Sequence, residues 1–596
     1  MKKTVICTTC PSGCEMEAIF ENEKDLKVTG NRCKRGEAYC RSECFNPKRT
    51  FTASVKIEGS RRAVMPVRSK EPVPKELIMN CADEVHKIKL KAPVRCHDVI
   101  LKNAAGSGVD IIASMTIDRE EYNTDVLIIG AGAVGTAIAR ELSKFQLDVI
   151  LCDKNDDVGG DASKSCSSCC STESTVTPFT LESQLAQASR PLFYHLCEEL
   201  EIPINFCGSI TPALNEEQLA MIPAMQEKAF NNGVYDVEFL THDEIMEMEP
   251  NINPCNLGGL YSPRDAQINQ FMLVIAQAEN AAANGVEVLL DCKVTGMEIK
   301  DGKIQTVNTT KGDISAKWVV NCAGLYCDDI AKMAGECDFT VHPRKGQFFV
   351  LSKDTPVKVS HTILSVPTKN SRGTLVIPTV DGNILVGPTA EDLEDKTDKK
   401  TTKEGLDFVT KNALALVPGL HMEDTITQFV GLRPAREPEG YNILVSEKVK
   451  GYVGISGIRS SGLTVSLGIA KYTIHQMQKA GLELTRKNGF IKRREGIVSF
   501  ADKSDEEKAR LIEKDPLYGK IICRCEQITE SEILQAIHRP VGARTVDAVK
   551  RRVRAGMGRC QGGFCSPLVI EILARELNVS PEEIRKRGGV SYMLEK

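Results

Sequence analysis

The run Asp125-Val-Leu-Ile-Ile-Gly130-Ala-Gly132-Ala-Val-Gly135-Thr-Ala-Ile-Ala-Arg140 reads as a buried strand, a G-x-G-x-x-G turn and an amphipathic helix. A second strand, Asp148-Val-Ile-Leu-Cys-Asp153, follows. Gly130 permits the tight turn, Gly132 lets backbone approach a pyrophosphate, and Gly135 lets helix and strand pack closely. The helix N-terminus offers free N–H groups and a positive dipole end to phosphates. Asp153 ends the second strand, where a carboxylate bonds ribose hydroxyls. Strand, turn, helix, second strand and acid together predict a dinucleotide site. The motif alone does not choose between NAD and FAD.

Outward from this stretch the chain divides into head, middle and tail. It has 596 residues and a formal net charge of −4, with 42% hydrophobic and 26% charged residues. That is ordinary for a globular protein and gives no global electrostatic reason to bind nucleic acid. The longest apolar stretch, Val126 to Ala139, is too short to span a bilayer, and no signal-peptide pattern follows Met1. A cytoplasmic location, possible also at the inner face of the membrane, is therefore the expectation. In a reducing compartment the 23 cysteines are metal ligands, redox groups or packed thiols rather than disulfides. They cluster at Cys7 to Cys44 and at Cys523 to Cys565. The expected units are a Cys-rich head over 1–117, a middle over 124–490, a charged connector over 499–520 and a tail over 521–596.

Further along the middle, Val294 precedes a turn at Asp301-Gly302, and Trp318-Val-Val-Asn-Cys-Ala-Gly324 reads as a returning strand. Tyr452-Val-Gly-Ile-Ser-Gly457-Ile-Arg459-Ser-Ser-Gly462-Leu-Thr464 reads as strand, Gly-rich turn and helix start. In that order these motifs resemble the D-amino-acid-oxidase / glycerol-3-phosphate-dehydrogenase superfamily of FAD enzymes. The resemblance implies an α/β Rossmann-like FAD-binding domain joined to an antiparallel-sheet substrate domain. It also implies cofactor contacts from Ser163, Val294, Ala323, Gly324, Gly457, Gly462, Leu463 and Thr464, beside Gly130, Gly132, Gly135 and Asp153. The helix opening at Gly462 would aim its N–H groups at the negative edge of reduced flavin.

On the substrate side, Gly431-Leu-Arg433-Pro434 matches a family turn whose arginine anchors a carboxylate or phosphate, for which a planar fork is suited. Pairing with a structural carboxylate is the other reading. Lys345, with Arg344, lies in a second family segment near the flavin, and Arg459 stands just before the flavin-facing helix. One departure matters. Where relatives carry an N-S-G-x-x-H-like run, this chain has Ser165-Cys166-Ser-Ser-Cys169-Cys170-Ser171, so Ser171 takes the place of the histidine base. Cys166, Cys169 and Cys170 are read as packing, with redox activity and metal binding as the other readings.

In the tail, Cys523-Arg-Cys525 and Cys560-Gln-Gly-Gly-Phe-Cys565 can close one site. The stretch resembles bacterioferritin-associated-ferredoxin-like [2Fe–2S] domains, which implies a small helical domain; zinc stays open as an alternative. Lys550, Arg551, Arg552 and Arg554 read as a solvated helix face or a docking patch for an acidic electron partner. In the head, Cys7-x-x-Cys10-x-x-x-Cys14 and Cys33 form a second four-ligand set. It resembles a small CxxC-type family and, in spacing, the N-terminal [4Fe–4S] domain of molybdopterin oxidoreductases. A second iron–sulfur cluster ([4Fe–4S]), zinc and free thiols are the readings there. Cys40 and Cys44 share a helix face and are not assigned.

Over its whole length the chain resembles anaerobic-type glycerol-3-phosphate dehydrogenase catalytic subunits with a Cys-rich head in front. The resemblance implies hydride transfer from a small anionic substrate (a polyol phosphate or 2-hydroxy acid) to flavin. Electrons then pass through iron–sulfur clusters to a partner flavoprotein or other acceptor, in an oligomer or multi-subunit complex. The alternatives are an amine or amino-acid dehydrogenase and a substrate-free electron-transfer subunit; the second has no need of Arg433.

Overall fold

The computed structural model describes residues 1–60, 62–367 and 373–595. They form two compact units, Met1–Tyr122 with Lys311–Asp313, and Asn123–Thr310 with Ile314–Lys596.

The first unit holds two small cores. Strands Lys2–Ile6, Glu15–Ile19 and Lys27–Thr29 form an antiparallel sheet. Burial alternates along it: Met16 and Ala18 face in while their neighbours face out, the period-two signature of a half-covered strand. Helix Lys34–Phe45 closes this core with Cys40. A five-stranded sheet from Thr52 to Ala113 packs against helix Ile78–Val85 to make the other.

In the second unit the fingerprint strand, Glu121–Ile129, lies between Val149–Cys152 and Gly312–Asn321 in an eight-stranded sheet. Val126 to Ile129 are all buried, as expected of a central strand covered on both faces. Helices Ala133–Leu142, Gln270–Ala283 and Gly462–Lys479 pack into the main core of this domain. Gly130 has φ +106, and a Cβ at Gly135 would stand 1.9 Å from the Gly130 carbonyl oxygen. No other residue type fits there.

A nine-stranded sheet forms the substrate domain, with Thr340–Leu351 and Thr425–Glu437 as its long antiparallel pair. The expected antiparallel order has one exception, since Ser209–Pro212 and Thr362–Leu364 run parallel.

The connector is helical over Asp505–Lys514, with a capping box between Ser504 and Glu507. The tail follows as a short two-stranded ladder and helices Glu530–His538, Val546–Val553 and Ser566–Leu577 around their own core. It packs on the flavin domain. Asp157 accepts bonds from Arg551 (2.9 Å) and Arg552 (2.7 and 2.9 Å), all three residues buried. Glu279 accepts from Arg494 (2.5 Å) and Arg539 (2.7 Å). The solvated face expected around Lys550 to Arg554 is thus corrected. Arg551 and Arg552 are interior, and Arg554 bonds Glu526, Asn383 and Asp381. Among the described residues no helix is long and apolar enough to cross a membrane.

Candidate active site

A cavity of about 2210 Å3 opens between the parallel sheet and the substrate sheet. Pockets for drug-sized ligands run to about 300–1,000 Å3, so there is room for a dinucleotide and a second small molecule. Gly130, Gly132, Asp153 and Ser163 line one end, with Val294, Ala323 and Gly324 nearby and Gly462 and Leu463 further in. Gly135, Gly457 and Thr464 are not among the residues that line it.

The residues present fit FAD. Ala133 N–H points at Ser163 Oγ (3.0 Å) at the open N-terminus of the fingerprint helix, where a pyrophosphate would take such donors. Asp153 accepts from Ala131 N–H (2.7 Å) and Asn155 N–H (2.8 Å). Its orientation is therefore set, and burial raises its pKa against those bonds. Gly431 meets the Ser165 carbonyl so closely that a Cβ would stand 2.0 Å from that oxygen. This brings the substrate strand against the loop carrying Cys166.

The other end of the cavity is cationic. Arg344 and Arg433 face each other in register on the long strand pair, and both line the wall with Arg459. Arg433 donates to the carbonyls of Thr389 (2.7 Å), Lys345 (3.3 Å) and Arg344 (3.3 Å), which fix its fork. Arg344 is held by both oxygens of Asp392, each at 2.7 Å. Arg459 pairs with Glu439. Lys345 does not reach the cavity. One residue past Arg344, it points to the opposite face of the strand, is buried, and places Nζ 3.1 Å from Asp398.

Ser171, in the histidine's place, lines the cavity and donates to Glu173 Oε1 at 2.9 Å. Burial pushes the thiol of Cys166 up to about 12 and that of Cys169 to about 11. Such thiols stay protonated and unreactive, in keeping with packing. Glu173 and Asp265 also line this region. No motif announces them; Glu173 comes from the loop between strand Cys169–Cys170 and helix Leu181–Leu200, and Asp265 from the turn between strands Gly259–Ser262 and Ala266–Ile268. The one local hint is that Glu173 sits at φ +53, a backbone state that costs a non-glycine residue and gathers at functional sites.

In the tail, Cys525 and Cys560 sulfurs lie 3.6 Å apart, and the Cys565 thiol bonds Cys523 and draws its pKa down to about 6. Two ligands on one tetrahedral metal with bonds of about 2.3 Å stand about 3.7 Å apart. The thiols thus form two pairs, as a two-iron cluster requires with two protein sulfurs per iron. In the head, Cys7 N–H donates to the Cys14 carbonyl at 2.9 Å. Cys33 precedes helix Lys34–Phe45, whose Gly36 would carry a Cβ 3.9 Å from Cys7 Sγ. Cys10 lies in the same loop. Among the described residues no three such side chains share the position of a single ion.

The sequence model of a family described as FAD dependent oxidoreductase matches residues 125–476. The chain belongs to this family. A BFD-like [2Fe-2S] binding domain matches 521–575, and a protein of unknown function, DUF1667, matches 34–115. A glycerol 3-phosphate dehydrogenase of Caloramator mitchellensis is 44% identical over 470 residues, 79% of this chain and 98% of that protein. One subunit of an anaerobic glycerol-3-phosphate dehydrogenase of Haemophilus influenzae is 22% identical, covering 75% of this chain and 84% of that one. Among solved structures, the reduced, FAD-bound L-alpha-glycerophosphate oxidase of Mycoplasma pneumoniae superposes with TM-score 0.59 at 26% identity. It covers 62% of this chain and 98% of its own. This FAD-dependent oxidoreductase is a dehydrogenase whose cofactors are FAD and, in its tail, a [2Fe–2S] cluster.

Proposed function

We propose that this FAD-dependent dehydrogenase oxidises glycerol 3-phosphate and hands the electrons through its tail to a separate acceptor protein. The carrying observation is Arg433, whose fork three carbonyls hold at the cavity wall. A phosphate entering the site loses water and needs a charged, planar partner. The 44% identity to a glycerol 3-phosphate dehydrogenase supports the same substrate. When bound, FAD supplies the hydride acceptor and the two-iron cluster an outlet that takes one electron at a time. Gly130, Gly132, Asp153, Ser163 and Val294 would hold the nucleotide. Gly462 and Leu463 would face the flavin ring, and Arg433 with Arg459 would seat the anion and fix the reacting carbon.

The head is part of this reading. Cys7, Cys10, Cys14 and Cys33 would ligate a second iron–sulfur cluster, supported by the loop closure that draws Cys7, Cys14 and the Cys33 turn together. Zinc on the same four thiols is the alternative. The many free thiols support a cytoplasmic location. A separate acceptor is supported by the Haemophilus influenzae relative, which is itself one subunit of its enzyme.

The test is anaerobic bleaching of the flavin by a panel of polyol phosphates, 2-hydroxy acids and amino acids. Glycerol 3-phosphate should bleach it fastest. Arg433→Ala should retain FAD yet lose on the order of a hundredfold or more in kcat/KM, the effect of about 3–5 kcal/mol for a buried pair that loses one member. Bleaching by a neutral amine alone, indifferent to Arg433→Ala, would sink the proposal.

A further inference from the structure

An alcohol gives up a hydride from carbon only as its hydroxyl gives up a proton, and Ser171 cannot itself hold that proton. Several carboxylates and one imidazole line the cavity. His342 lines it but has Nε2 3.3 Å from Asp392. Asp265 accepts from Ser209 Oγ (2.6 Å) and Thr172 N–H (2.5 Å), so both its oxygens are turned to fixed donors. Glu173 differs. Its side chain is buried at the wall, and Oε1 receives the Ser171 hydroxyl at 2.9 Å. Ser171 is tied in turn to the flavin-facing helix, its N–H donating to Thr464 Oγ1 at 3.3 Å in the first turn. Ser171 is thereby tied to the first turn of that helix, with its hydroxyl proton already aimed at a carboxylate.

We infer that Ser171 and Glu173 form a proton relay that replaces the missing histidine, with Glu173 the final acceptor of the substrate's hydroxyl proton. The inference rests on the alcohol-oxidation reading above. The substrate O–H donates to a lone pair of Ser171 Oγ, and the Ser171 proton moves to Glu173 Oε1. The carbon's C–H bond breaks with its electron pair leaving as hydride to the oxidised flavin, and a C=O bond forms. The alcohol is oxidised to a ketone, the flavin is reduced, and Glu173 is left neutral until its proton returns to water. Ser171 touches the substrate; Glu173 acts through it and positions it.

The test uses the full chain with FAD bound and reads two quantities. In anaerobic stopped flow, Glu173→Gln and Ser171→Ala should each slow flavin reduction by glycerol 3-phosphate about a hundredfold with KM little changed. The limb of the pH–rate profile set by the acceptor should vanish in Glu173→Gln. Glu173→Asp should recover part of the rate. The second readout is binding of sulfite, which adds at flavin N5 and leaves the ring negatively charged. A carboxylate near N5 opposes it, so Glu173→Gln should bind sulfite about tenfold tighter, while Ser171→Ala should match wild type. Wild-type reduction rates in either variant would overturn the relay. So would an unchanged sulfite affinity in Glu173→Gln, because the carboxylate would then stand away from the reacting atoms. If glycerol 3-phosphate leaves wild-type flavin oxidised, the substrate reading fails, and the sulfite comparison still decides on its own where the carboxylate stands.

Discussion

The two cysteine-rich ends are built on different plans. The tail's four expected ligand thiols come as two sulfur pairs, in a strand and turns of a helical domain with its own core. That core is fastened to the flavin domain by buried ion pairs at Asp157 and Glu279. The head joins Cys7 to Cys14 by a backbone bond within a small core of its own, and Cys33 is exposed. The difference teaches that ligand spacing announces a site, whereas rigidity is supplied by what surrounds it. An electron outlet works only at a fixed separation from its donor. The tail has the buried charges that hold such a separation, at the expense of desolvating them.

Cys560→Ala should remove the paramagnetic signal of the reduced tail cluster entirely and leave FAD in place. Cys10→Ala should leave that signal intact and remove iron elsewhere in the chain. Equal iron content in wild type and Cys10→Ala, by anaerobic metal analysis, would break the comparison by leaving the head without iron.

Next in size is the clamp. Asp157→Ala leaves two buried guanidiniums without their shared carboxylate, which costs about 3–5 kcal/mol. Limited proteolysis should then release the tail at the connector, and flavin reduction by substrate should persist while electron delivery to an acceptor falls. A tail as protected as in wild type would show that the remaining contacts, at Glu279 and Asp381 among others, suffice to hold it.

Acid should act on the same contact. Burial pushes the Asp157 carboxyl up, but Arg552 and Arg551 outweigh it and hold it below the ordinary range. A folded pKa under the unfolded value of about 3.9 means the clamp's stability is fully present above about pH 4. It is lost as pH falls through the folded pKa. Proteolytic release that sets in above pH 5 would assign it to another group.

The smallest effect belongs to the connector. Ser504→Ala removes a capping box from a helix with no buried residue and should cost about 1 kcal/mol locally. Hydrogen exchange should quicken over Asp505–Lys514 with the melting temperature nearly unmoved.

What could be read in the sequence was whatever is local. The fingerprint from Gly130 to Asp153 carries its reason within one strand–turn–helix, and so do the C-x-C and C-x-x-x-x-C of the tail. Arg344 and Lys345 show the limit: adjacent in sequence, they fall on opposite faces, and only strand register assigns Arg344 to the cavity. The basic run Lys550 to Arg554 reads as surface because its partners, Asp157 and Asp381, lie far away in the chain. Glu173 was illegible for the same reason. Nothing in Ser171-Thr172-Glu173 tells that the carboxylate folds back on the hydroxyl until the loop adopts φ +53.

Asp157 lies in the loop that runs from Asp153 to Ser163, so the segment expected to meet the nucleotide also carries the clamp on the tail. Whatever ordering the nucleotide imposes on this loop is ordering the tail need not impose, and the reverse holds equally. Thermodynamic reciprocity then makes the two events partners: a flavin that tightens tail docking by some factor is itself retained more tightly by that factor once the tail is seated. Coupling of that sign would bias the chain toward two populations, one fully wired and one with neither part in place, and away from a reduced flavin that has no outlet.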